Sequence, residues 1–397
     1  MRTFDTVESM RVAFVSTYPP RRCGLATFTS DLTSALQHAD PAVGSRVAAI
    51  DEPHVVRAYG REVRWRIRQG TVDGYLRAAQ AIAASNVDVV CVQHEFGLYG
   101  VWPDDTWGGD PWIEGTYEDH LVPFLEEVGK PSIVTLHTVL PEPSPGLRKA
   151  TRRIAGVTDR LVVMSESAVG ILADAYGLTT PMSVIHHGMP QIEPRDRHRL
   201  KEKLGLQGRP LVVTFGLVGP SKGLEYMIEA MPCVVARHPD VLYLIAGQTH
   251  PDLLRHHGEE YRNKLIKMVD GLHLNENVAF ANHYLSQKEV IELLLASDIY
   301  VTPYLDPNQI TSGTLSYALG AGKAIISTPY LHAKEALIDE RGVLVDFRSP
   351  DQLAAAITGL LDDPERKARL EHNAYAYASE FTWPKIGQRF VQAIMSL

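Results

Sequence analysis

Short runs of β-branched and aliphatic residues recur along the chain, with helix-patterned stretches between them. VAFVS (12–16), VDVVCV (87–92), SIVTL (132–136), LVVM (161–164) and SVIH (183–186) form a first set. LVVTF (211–215), VLYLIAG (241–247), NVAFA (277–281), DIYVT (298–302), AIIST (324–328) and GVLV (342–345) form a second. Apolar runs of this length alternating with helical patterns predict an α/β fold. Strands that are apolar throughout are covered on both faces, so the sheets are expected to be parallel, with helices on each side. A polar stretch at 191–209, which includes RDRHRLKEK, separates the two sets. The pattern therefore predicts two doubly wound, Rossmann-like domains, 1–190 and 191–377, followed by a closing helix at 378–397 that carries Trp383 and Phe390. Ligands on doubly wound sheets bind beyond the carboxyl ends of the strands, which makes an interdomain cleft the expected active site.

Length and composition fit this picture and exclude others. A chain of 397 residues exceeds the size at which one core keeps growing. Its 45% hydrophobic and 22% charged residues are the balance of a soluble globular protein. No apolar run approaches the roughly 20 residues that cross a bilayer, and MRTFDTVESM lacks the layout of a secretory signal. Cys23, Cys91 and Cys233 are odd in number and far apart, which argues against a disulfide framework or a zinc site and fits a cytoplasmic location. A net charge of −8 gives no support to nucleic-acid binding. The local exception is the run Arg57, Arg61, Arg64, Arg66 and Arg68, read either as a solvated face or as a contact for an acidic acceptor or an anionic lipid surface. Peripheral membrane contact and homo-oligomerisation both stay open.

Candidate chemistry sits at strand ends. Gly24 follows the first strand and opens a helix on which Leu25, Phe28, Leu32 and Leu36 share a face, so a ligand there would meet backbone N–H groups at the positive helix end. QHEFG sets His94 and Glu95 after the second run, and TLHT sets His137 after the third. Imidazole in such a place donates to a hydroxyl or a developing charge, or is simply satisfied by nearby backbone. In the second half, FGLVGPSKG carries Gly216 and delivers Lys222 to a helix start, a site for phosphate or only a surface lysine after a turn. PYLDPNQITSGTLSYALGAGKAIIST then brings Thr311, Ser312, Gly313 and Thr314 to a helix entrance, a small-residue cradle suited to phosphate or pyrophosphate. Between 100 and 119, Trp102, Trp107 and Trp112 lie among Asp104, Asp105 and Asp110. Indole faces stack on sugars while carboxylates accept from hydroxyls, so this loop is a candidate acceptor platform; the alternative is packing on its own domain or on a partner chain. No His, Asp or Glu group has defensible metal-ligand spacing.

Taken in order, the turn at Gly24, TLHT, SES at 165–167, HHG at 186–188, the KG at 222–223 and ALGAGKAIIST resemble glycosyltransferase family 4, the retaining GT-B glycosyltransferases. The likeness covers nearly the whole chain and is greatest to a bacterial subgroup with QHEFG, TLHTVLPEPS and QITSGTLSYALGAGKAIISTPY. It implies a GT-B fold in which the closing helix returns to the first domain. It further implies transfer of a hexosyl group, mannose or glucose, from a nucleotide diphosphosugar to a carbohydrate or small hydroxyl acceptor, with retention and with no metal or other cofactor. The resemblance assigns catalysis to His137, Lys222 and Gln309. Donor binding falls to Gly24, Gly216, Lys222, Gln309, Thr311, Ser312, Gly313, Thr314 and Tyr317. His94, Glu95, Trp102, Trp107 and Trp112 are left for the acceptor.

The chain departs from the family at three positions. Gln309 and Tyr317 stand where two glutamates are usual, and Leu217 stands where an arginine is usual. An amide at Gln309 still reaches sugar hydroxyls, but Tyr317 offers no bidentate acceptor for a ribose, and the diphosphate loses one cation. A glycoside phosphorylase or synthase using a sugar 1-phosphate is therefore the first alternative. A noncatalytic sugar-binding GT-B module is the second.

Overall fold

The computed structural model describes residues 10–101 and 118–397. The chain divides into two compact units, Met1–Gly188 with Trp383–Leu397, and Met189–Thr382.

In the first unit the strands are β1 (Arg11–Ser16), β2 (Gly44–Asp51), β3 (Val63–Arg68), β4 (Val89–His94), β5 (Gly100–Val101), β6 (Glu118–Asp119), β7 (Ser132–Leu136), β8 (Arg160–Val163) and β9 (Met182–Val184). A seven-stranded sheet runs β3-β2-β1-β4-β7-β8-β9, and β5 and β6 form a separate antiparallel pair. All pairs in the large sheet are parallel. The order reverses between β1 and β4, which opens a crevice at their carboxyl ends. β1, β4 and β7 are buried almost throughout because helices cover both of their faces. One of these helices, Gly24–Ala39, buries Phe28, Leu32 and Leu36, the apolar stripe written at helical spacing. Helix Trp383–Met395 packs on it at Gly387, where a Cβ would fall 2.3 Å from the Ala35 carbonyl oxygen. This helix starts after residue 378, because helix Pro364–Ser379 belongs to the second unit, where the tilted rings of Tyr377 and Phe381 meet at 4.8 Å.

The second unit contains β10 (Leu211–Phe215), β11 (Leu242–Ala246), β12 (Val278–Ala281), β13 (Ile299–Thr302), β14 (Ala324–Ser327) and β15 (Val343–Leu344). They form one parallel sheet ordered β12-β11-β10-β13-β14-β15, whose order reverses between β10 and β13. Apolar clusters fill the space on its two faces, one around Val213, Tyr300 and Leu315 and one around Val212, Met227 and Ile299. The polar stretch between the strand sets is no free linker. Helix Arg197–Lys203 docks through Lys201, whose ammonium lies 2.5 Å from the Asp298 carboxylate. Burial alone would raise the Asp298 pKa, but hydrogen bonds from Lys201 and the Leu211 N–H outweigh it and hold it below its ordinary value.

Two strands of the first sheet lie outside the apolar runs. β2 reads GSRVAAID, short on β-branched residues, and β3 places Arg64, Arg66 and Arg68 in alternation with Val63, Trp65 and Ile67. The arginine run is thus largely an edge strand. Among the described residues no helix is long and apolar enough to cross a membrane.

Candidate active site

The second unit gathers its candidate residues at the switch point of its sheet. β10 ends at Phe215, and Gly216 follows with φ 134°, close against Gly247 after β11, which has φ 144°. A Cβ on Gly247 would fall 1.8 Å from the Gly216 carbonyl oxygen, so glycine is required where the two strand-end loops cross. The loop then makes a single helical turn at Pro220–Lys222 and is stopped by Gly223 at φ 60°, whose missing Cβ leaves room for the Pro303 carbonyl. Half-buried Lys222 is thereby delivered over the ring of Tyr304, with Nζ 3.7 Å from the centroid. Burial pulls the Lys222 pKa down from 10.5 to about 8, and the nearby Asp306 carboxylate opposes that shift. An ammonium poorly solvated and held on a π face gains more than a surface lysine when an anion approaches.

The same Tyr304 connects Lys222 to the next helix. Its hydroxyl lies 2.8 Å from Thr314 Oγ1, which lies 3.2 Å from Ser312 Oγ. Ser312 is the N-cap of helix Gly313–Gly320 and accepts from the Leu315 N–H at 3.3 Å. Its own N–H is spent, donating to His332 Nδ1 at 2.8 Å. The amides at this helix end that remain for a ligand are those of Gly313 and Thr314, which have no intrahelical acceptor. The Ser312 N–H is therefore not available to a ligand, a correction to the expected contribution of its backbone that depends on a residue distant in sequence. Gln309 donates through its amide to the Thr311 carbonyl at 3.1 Å, while Thr311 Oγ1 is buried without a hydrogen-bond partner among the described residues. Tyr317 receives a hydrogen bond from Gln287 Nε2 at 3.0 Å, so its hydroxyl is fixed by a neighbouring helix.

In the first unit, Gly24 starts its helix after an N-cap, Cys23, that makes no side-chain capping bond. A Cβ on Gly24 would meet nothing within 4 Å, so the helix entrance there is open. His137 follows β7, and its Nε2 lies 3.0 Å from Gln93 Oε1, which makes the neutral ring a donor from that nitrogen. Its ring meets Phe28 edge-on at 4.8 Å, and burial, with His187 and His94 nearby, lowers its pKa to about 3. Glu95 accepts from the Phe96 N–H at 3.1 Å and from Thr138 Oγ1 at 2.8 Å, capping the turn Phe96–Leu98. His94 is 0% exposed, packed between Phe96 and Tyr99, and both its ring nitrogens lack partners among the described residues. Its place is in the core and not on a ligand-facing rim; whether a strand-end side chain is covered depends on what folds over it. Trp102, Trp107 and Trp112 lie outside the described residues. Tyr304, His332 and Gln93 were not singled out in the sequence, and Phe28 was read only as part of an apolar helix face. Tyr304 carried the one usable signal, standing just past an apolar strand in PYLD.

Paired doubly wound units of this kind define the GT-B fold. The solved structure of Anabaena Alr3699/HepE in complex with UDP and glucose shares it, with a TM-score of 0.74 at 18% identity over 98% of this chain and 100% of that one. Residues 196–377 match the model of the family described as Glycosyl transferases group 1. A GDP-mannose-dependent monoacylated alpha-(1-6)-phosphatidylinositol monomannoside mannosyltransferase of Corynebacterium glutamicum is 26% identical over 64% of this chain and 66% of its own length. The D-inositol 3-phosphate glycosyltransferase of Rhodococcus jostii is 26% identical over 73% of this chain and 65% of its own. The chain thus spans just under two thirds of the length of these two curated relatives.

Proposed function

We propose that the protein is a metal-independent retaining glycosyltransferase that moves a hexosyl group, mannose or glucose, from a nucleotide diphosphosugar to a hydroxyl acceptor. The observation that carries this reading is the meeting of the Lys222 ammonium and the Gly313 and Thr314 amide end on one tyrosine, Tyr304. In glycosyl transfer the bond from the anomeric carbon to phosphate oxygen breaks, and negative charge collects on the departing phosphate. A cation and fixed amides aimed at that charge stabilise the transition state more than the ground state. The departing phosphate oxygen then takes the proton of the acceptor hydroxyl as the new carbon–oxygen bond forms on the same face. Within the second unit, Gln309 offers its amide to a sugar hydroxyl. The match of residues 196–377 to the group 1 model supports the donor assignment, and the mannosyltransferase and the UDP-bound relative support hexose donors.

Transfer from a sugar 1-phosphate is the second reading. It is favoured by Leu217 beside the Lys222 loop and by Tyr317, whose hydroxyl accepts from Gln287 where a ribose would need a bidentate acceptor. Incubation with GDP-mannose, UDP-glucose and the two corresponding hexose 1-phosphates, with and without a chelator, tests both. Turnover with nucleotide sugars that survives chelation is the expected result. Turnover confined to the 1-phosphates would replace the first reading with the second, and loss on chelation would remove the metal-independent assignment.

A further inference from the structure

The short helix Leu331–Ala336 follows β14 and begins at Tyr330, an N-cap that makes no side-chain capping bond. Its first amides have no intrahelical acceptor, and the loop between β13 and helix Gly313–Gly320 supplies one for each. The Leu331 N–H donates to the Pro307 carbonyl at 3.1 Å, and the His332 N–H donates to the Gln309 carbonyl at 3.1 Å. The His332 side chain then turns to the far end of the same loop, where Nδ1 accepts from the Ser312 N–H at 2.8 Å. A backbone amide can only donate, so Nδ1 carries a lone pair and the ring is the neutral form with its proton on Nε2. His332 is 6% exposed, so the bond is made away from water, where an unpaired amide is most costly. The residues just before it hold the start of the loop. Thr328 Oγ1 donates to the Tyr304 carbonyl at 2.5 Å, and the Tyr330 ring stacks on that of Tyr304 at 5.6 Å.

We propose that His332 is a positioning residue for the sugar donor: by grasping the segment Gln309–Ser312 at both ends, it presets the Gly313 and Thr314 amides toward the departing phosphate. Ser312 is the N-cap of helix Gly313–Gly320, so fixing its amide fixes the direction of the two amides that follow. The same grip holds the backbone that carries the Gln309 carboxamide, whose Nε2 is turned to the Thr311 carbonyl at 3.1 Å. Amides already aimed at the place where charge collects need no reorganisation when the bond to phosphate breaks. The inference rests on the reading of Lys222 and this helix end as the phosphate site. It adds a residue that touches no substrate and acts only through the loop.

The test compares the full chain with His332→Leu, which removes the acceptor, and with His332→Asn, whose side-chain oxygen stands as many bonds from the backbone as Nδ1. Amide hydrogen exchange of peptides spanning 309–316, without ligand, reads the grip itself. Calorimetric titration with UDP, GDP and inorganic phosphate reads anion binding, and consumption of UDP-glucose, GDP-mannose and the two hexose 1-phosphates reads kcat. In His332→Leu, exchange across 309–316 should rise about tenfold while peptides from β11 exchange as in wild type. Anion affinity and kcat should each fall about tenfold, and His332→Asn should bring all three readouts back to within about threefold of wild type. The inference is overturned if His332→Leu leaves exchange at 309–316 unchanged, or loosens that segment without touching affinity or kcat. It is equally overturned if β11 loosens as much, which would make His332 a support of the core alone, or if His332→Asn behaves like His332→Leu. A wild type that binds none of the three anions and consumes none of the four sugars would overturn the phosphate-site reading itself, and this inference with it, even with exchange at 309–316 responding as expected.

Discussion

At the scale of single residues, two titrations carry opposite lessons. Lys222 stays charged at neutral pH, but only just, because burial has brought its pKa to about 8. In the free protein it loses its proton as pH rises through that value, so kcat/KM for the donor should fall on the alkaline side with a midpoint near 8. Lys222→Ala should cost about a hundredfold to a thousandfold in kcat, the usual loss for one oxyanion-type donor. Lys222→Arg should be slow yet lack the alkaline fall, since guanidinium stays protonated. A pH profile of kcat/KM for both variants checks this, and an alkaline limb that persists in Lys222→Arg would show that another group sets it. His94, by contrast, is kept neutral, its pKa lowered to about 3 by burial. Its unpartnered nitrogens contribute no hydrogen bond, so His94→Leu should change stability near pH 7 by no more than about 1 kcal/mol. Near pH 5 the unfolded histidine takes up a proton that the folded one refuses. There the variant should be more stable than wild type by about 2 kcal/mol, read from urea unfolding at the two pH values.

At the scale of elements, the glycines at strand ends differ in what they tolerate. Gly247→Ala drives a methyl group into the Gly216 carbonyl at a backbone angle that disfavours any side chain. It should cost more than about 2 kcal/mol and weaken donor binding by displacing the loop that presents Lys222. Gly24→Ala meets open space at a helix start and should be neutral or stabilising by up to about 1 kcal/mol. If it nevertheless slows turnover, the ligand itself needs that space; thermal melts paired with rates separate the two effects. The two glycines also show what the sequence discloses. Every apolar run became a strand of a parallel sheet; the inner ones are buried on both faces, which composition records directly, while the edge strands β9, β12 and β15 are only partly buried. β3 was equally legible in its strict alternation, but its charge drew the reading toward a surface patch. β2 was not legible, because alanine and serine fit a strand only where neighbours cover them. The helix start at Gly313, where we propose a phosphate cradle, was readable as a run of small residues. The spending of the Ser312 N–H on His332 and the support of Lys222 by Tyr304 were not, since both join residues that only the fold brings together.

At the scale of the whole molecule, three histidines of the first unit are held neutral by burial. His94 and His137 have pKa values lowered to about 3 and His187 to about 4, each chiefly by burial, and all belong to the first unit. A histidine whose folded pKa lies below its unfolded value contributes stability at neutral pH that is lost as pH falls from about 6.5 toward the folded pKa. The loss is about 1.4 kcal/mol for each group and each pH unit, so near pH 5 the three together remove several kcal/mol. Asp31, whose pKa burial raises to about 6, works the other way, as do Glu95 and Asp119, also raised by burial, and the three offset part of this loss. In the second unit the buried Asp298 has its pKa lowered below 3.8 despite burial, through Lys201, so its contribution survives until more acidic pH. The first unit should therefore loosen before the second on acidification. Amide hydrogen exchange at pH 7 and pH 5 checks this: peptides from β4 and β7 should lose protection while those from β10 and β13 keep it. Restoring protection in the first unit with His94→Leu would assign the effect to the buried imidazole, whereas earlier loss in the second unit would show that its ion pairs, and not these histidines, set the acid limit of the molecule.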